Sequence, residues 1–135
     1  MKLRFLLPLL FAIASTAQAA TVNVVVLNYS NYAKGMICVV DAEYQSQFES
    51  LYRADSFNTE RTDRNSALKL MGFFKDVDQN ACYNVPTSGT GKISVPDRDE
   101  VYIVTTVMTS DGSKVYWNIT SVEGTFDQVV TVDAP

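Results

Sequence analysis

Residues 76–80 read Asp76-Val77-Asp78-Gln79-Asn80, with an acidic or amide oxygen at alternate positions. Calcium takes several hard oxygen ligands, and alternating residues can turn them toward one point. The EF-hand pattern is not completed, because Ala81 stands where it needs Gly and Thr87 where it needs a bidentate Glu. A calcium site of another kind would draw Asp76, Asp78 and Asn80 together with the acidic turn of Asp97, Asp99 and Glu100. Ser66-Ala67-Leu68-Lys69 has the spacing of a serine nucleophile activated by a lysine one helical turn away, but no Lys-Thr-Gly follows. The run also reads as a strand, in which residues three apart face opposite ways. The 15 acidic residues include enough carboxylates for a hydrolase acid/base pair. That pairing depends on a distance in space, which spacing along the chain does not select. The absence of His removes the commonest near-neutral acid/base group and the usual zinc or copper ligand.

The ends and the totals narrow the choice. Lys2 and Arg4, the apolar run Phe5 to Ala14 and the small-residue site Ala17-Gln18-Ala19 predict an export signal cleaved between Ala19 and Ala20. The apolar run is too short for an ordinary membrane-spanning helix, so the mature chain is expected to hold no transmembrane segment. Loss of Lys2 and Arg4 takes the formal charge of −4 two units lower. A chain so acidic would be repelled by a phosphate backbone, which argues against a nucleic-acid partner. In an oxidising compartment, periplasmic or extracellular, Cys38 and Cys82 are expected to form one disulfide. Their spacing is unlike that of a redox pair.

A positioning framework follows from the turns. Asp111-Gly112, between Val101–Ser110 and Ser113–Thr120, is a strong hairpin signal. A two-residue loop sets Met108 against Val115, Thr106 against Trp117 and Val104 against Ile119. Tyr102, Val104, Thr106 and Met108 then share a face with Val115, Trp117 and Ile119, and that face is expected in the core. The other face holds Ile103, Val107 and Tyr116 among Thr105, Thr109, Lys114 and Asn118. The second layer of the sandwich or the helix is expected to cover it; as an outward face it would instead suit a protein or carbohydrate partner and leave Asn118 of one Asn-x-Thr sequon open to glycosylation. Strands are also expected at Thr21–Asn28, Gly35–Ala42, Ser66–Phe74, Asn80–Val85, Lys92–Val95 and Asp127–Asp133. Between Ala42 and Ala54 the spacing of Tyr44, Phe48, Leu51 and Tyr52 predicts a short amphipathic helix. The polar segment Arg53–Asn65, carrying Arg53, Arg61 and Arg64, is expected as a loop and as a second candidate for binding.

Thr62-Asp63-Arg64-Asn65-Ser66-Ala67-Leu68-Lys69-Leu70 resembles the T-D-x-x-G-x-F-x-L stretch of carboxypeptidase-regulatory and transthyretin-like sandwich domains, with Ser66 in place of Gly and Leu68 in place of the aromatic. Gly35 to Val40 and Val101 to Val104 are similar to two further strands of that family. The resemblance implies a turn leading into a strand near Ser66, and a non-enzymatic accessory or interaction module outside the cytoplasm.

Frequent turns between short strands predict one antiparallel β-sandwich, immunoglobulin-like or transthyretin-like, with one short helical insert and one disulfide, over residues 20–135. The expected role is that of a small exported binding protein without catalysis and without a resident cofactor. A calcium-dependent binding module and a small carboxylate-based hydrolase are the alternatives.

Overall fold

The computed structural model describes residues 20–40, 42–54, 56, 64–76 and 82–135. Seven strands form two sheets: β1 (Ala20–Leu27), β2 (Tyr32–Val39), β3 (Cys82–Asn84), β4 (Thr90–Val95), β5 (Val101–Thr109), β6 (Val115–Val122) and β7 (Gln128–Asp133). One sheet has the order β4-β1-β7 and the other β3-β2-β5-β6. All neighbours are antiparallel except β1 and β7. The all-β sandwich expected from the sequence is the observed fold.

Alternation drives the three-stranded sheet. Val22, Val24 and Val26 of β1 point inward with Gly91, Ile93 and Val95 of β4, while Thr90, Lys92 and Ser94 face out. These side chains pack on Ile37, Val39, Val101, Ile103 and Val107 of the second sheet to make the main core. Two helices cover the far face of that second sheet. Helix α1 (Gln45–Arg53) and helix α2 (Arg64–Asp76) both fall in the connection from β2 to β3. They bury Phe48, Leu70 and Phe73 against Val40, Tyr102, Val104, Trp117 and Ile119. Phe48 is fully buried, its ring 5.1 Å from Tyr102 and 5.3 Å from Phe73 between centroids. The four-stranded sheet therefore carries a layer on each side, and that decides against the outward contact surface at Ile103, Val107 and Tyr116. Ile103 and Val107, 1% and 5% exposed, line the core between the sheets with Tyr116 packed against them. That face is a second buried face. Asn118 shares it, half-buried, with its Oδ1 accepting from the Thr120 hydroxyl at 2.6 Å.

A second correction concerns 66–74. Ser-Ala-Leu-Lys-Leu-Met-Gly-Phe-Phe was expected as a strand, but it lies within α2. Its apolar residues satisfy both periods, a known ambiguity of short apolar runs. Ala, Leu, Lys and Met are good helix formers, and only a helix puts Ser66, Leu70 and Phe73 on one buried side. The turn-into-strand implied by the family resemblance is thus not found at Ser66–Leu70. The expected disulfide is present, joining Cys38 to Cys82 directly across the β2–β3 pair.

The hairpin keeps its predicted register, with Met108 opposite Val115, Thr106 opposite Trp117 and Val104 opposite Ile119. Its loop is wider than two residues. Thr109 N–H donates to the Lys114 carbonyl at 3.0 Å, and Gly112 N–H donates to the Thr109 carbonyl at 2.9 Å. Gly112 sits at φ 72°, a conformation that costs little without a Cβ. The Asp111 carboxylate accepts from Ser113 N–H at 3.0 Å, from Ser113 Oγ at 2.7 Å and from Thr109 Oγ1 at 2.8 Å. These bonds, the Ser113 backbone bond foremost, hold its pKa down at about 2. A depressed folded-state pKa stabilises the fold above the unfolded value and loses that effect as pH falls through the folded one. An NMR titration of the Asp111 carboxyl carbon is expected to give a midpoint of about 2; a midpoint near the unperturbed value of about 4 would contradict the turn geometry.

Candidate functional site

The sheet's helix-bearing face is only partly covered. Its β2 row runs Met36, Cys38, Val40, and in register beside it on β5 lie Thr106 and Val104. Phe48, Leu70 and Phe73 close over the end at Tyr102 and Val104. Toward Met36 and Thr106 the cover stops, and a groove of about 590 Å³ opens. Met36, Cys38, Val104 and Thr106 make its floor on the sheet, with Cys82 across the disulfide. Leu70, Met71, Gly72, Phe74 and Lys75 of α2 make its wall.

The groove is of small-ligand size, within the range of about 300–1,000 Å³ usual for such sites. Its walls are apolar except for the Thr106 hydroxyl and the Lys75 ammonium. The Thr106 hydroxyl reaches the Met36 carbonyl at 3.5 Å. Met71 is 63% and Met36 42% exposed, so both thioethers stand at the surface. Methionine is flexible and polarizable and adapts to irregular apolar partners. No carboxylate is among the described lining residues. A separate recess of about 20 Å³ lies at the opposite, inter-sheet side between Thr105, Tyr116 and the C-terminal residues Ala134 and Pro135. The Thr105 hydroxyl is buried there without a hydrogen-bond partner.

The residues singled out from the sequence do not converge. Ile103, Val107 and Tyr116 belong to the core, as above. Arg53 ends α1 and is exposed; Arg61 and the side chain of Arg64 lie outside the described residues. Asp78, Asn80 and the side chain of Asp76 also lie outside them, while Asp97 and Asp99 are exposed on the β4–β5 turn. Among the described residues no three acids, thiols or imidazoles come together as a metal site would need. Glu100 is engaged structurally, accepting from the Tyr102 hydroxyl at 2.9 Å and from Ser121 Oγ at 3.1 Å. Ser66 is buried at 5% while Lys69 is exposed, and neither lines the groove. None of the groove residues other than the two cysteines was singled out by sequence. The one signal pointing to them was Met71-Gly72, an exposed apolar residue and a helix-interior glycine.

No protein-family model matches the chain, and no curated protein or solved structure matches it. Among the described residues no helix is long and apolar enough to cross a membrane.

The wall residues divide by role. Leu70 is 3% exposed and anchors α2, whereas Met71 stands in solvent. Leu70→Ala is expected to cost about 2–5 kcal/mol of unfolding free energy. Met71→Ala should stay within about 0.5 kcal/mol of the parent. Urea denaturation of the two variants checks the contrast.

Proposed function

We propose that this chain is a small exported binding protein without catalysis, and that the groove between α2 and the four-stranded sheet is its binding site. The observation that carries the reading is an open apolar groove whose mouth residues, Met36 and Met71, are not used to hold the fold. Exposed apolar surface of this kind is retained where it meets a partner. An export signal at the N-terminus and a disulfide support action outside the cytoplasm.

The alternatives have less behind them. A carbohydrate site would call for several hydroxyl or amide partners, and the lining offers one hydroxyl. A carboxylate-based hydrolase needs two acids in a cleft, and no acid is among the described residues lining this one. For calcium, Asp97 and Asp99 lie on an exposed turn, and no metal-ligating group of three forms among the described residues.

Native mass spectrometry of the protein purified from an exporting host tests the assignment. The parent is expected to carry a small-molecule adduct that Met71→Asp, with a negative charge at the groove mouth, does not retain. Equal adducts on both proteins, or none on either, would overturn it.

A further inference from the structure

Helix α2 contains a glycine that its own packing does not require. Gly72 sits in the interior of the helix, where glycine is the poorest helix former apart from proline. A Cβ built on it meets no atom within 4 Å, so no neighbouring element excludes a side chain. Gly72 does line the groove. A bare stretch of helix facing an apolar groove is what a ligand needs to approach the backbone closely.

Among the described lining residues the charged group is Lys75. Lys75 follows Gly72 by three residues on the same side of α2 and lines the groove. Outside the groove lining, Lys34 lies opposite Met108, one step along the β2 row beyond Met36, which is opposite Thr106. Both lysines are exposed. No acid is among the lining residues that the structure describes, although the chain as a whole is acidic. Positive groups at the rim of an apolar groove, in a protein of net negative charge, mark a local preference against the overall field.

Resting on the groove as the binding site, we propose that its ligand is a single-chain anionic amphiphile. The apolar tail lies along Met36, Val104, Leu70 and Phe74 past the bare backbone at Gly72, and the headgroup meets Lys75. The two methionines adapt to the tail without fixing its shape, which suits a flexible chain better than a rigid ring system.

Dodecanoate and dodecyltrimethylammonium, used below their micelle concentrations, carry the same tail with opposite headgroups. Trp117 is the sole tryptophan and pairs across the hairpin with Thr106 of the groove floor, so its fluorescence reports binding. Dodecanoate is expected to bind at least tenfold more tightly than the cation. Lys75→Gln should reduce dodecanoate affinity several-fold and leave the cation unaffected. Gly72→Leu, a change toward a better helix former, should raise the melting temperature and abolish both interactions. Equal binding of the two probes, each lost in Gly72→Leu, overturns the anion preference while keeping the groove as a binding site. Binding that survives Gly72→Leu, or no binding of dodecanoate at all, overturns the inference outright; the adduct experiment on Met71→Asp then decides separately whether the groove binds anything.

Discussion

The covalent bond between Cys38 and Cys82 is the constraint on which the helical half of this protein depends. The chain leaves the four-stranded sheet after Val39 and returns at Cys82 on the neighbouring strand, so the two cysteines sit face to face at the two ends of the excursion. Strand β3 is three residues long and forms the sheet edge, which is little hydrogen bonding to hold the return of so long a loop. Closing a separation of 44 residues stabilises the fold by roughly 4 kcal/mol in the chain-entropy description. Both helices lie inside that loop. Held at its ends, the insert needs only a modest apolar contact to settle onto the sheet.

That contact is aromatic and local. Phe48 from α1 and Phe73 from α2 meet over Tyr102, and Tyr52 stacks beside Phe48 at 6.2 Å. The Tyr102 hydroxyl, desolvated and bonded to Glu100, has its pKa raised to about 12, so the ring stays neutral under the helices. The cluster covers one end of the sheet face and stops short of Met36 and Thr106. The groove is the part of that face that the described residues of the two helices do not cover. Its floor includes the disulfide, so the bond that fixes the insert also shapes the site.

Much of the sandwich was legible in the sequence because period-two alternation and turn chemistry are local signals. β1, β4, β7 and the hairpin register follow from Val, Ile and Gly positions that need no knowledge of tertiary contacts. The errors arose where a local pattern has two solutions. The stretch 66–74 fits strand and helix periods alike, and the sheet face that buries Leu70 and Phe73 decides between them. The hairpin's second face, apolar bodies among hydroxyls, fits an outward contact surface and a covered inner face alike. The second sheet covers it, leaving Thr105 buried at 2% exposure. The groove itself could not be read from sequence, since Met36, Gly72 and Thr106 come from three separate elements and meet only after the insert has docked.

Hydrogen exchange of the oxidised protein against the Cys38→Ser/Cys82→Ser variant tests this dependence most directly. The account predicts that amides of α1 and α2 lose protection in the variant while those of β1, β4 and β7 keep theirs. Retained helix protection, or loss spread evenly over both sheets, would show that the disulfide does not hold the insert in place.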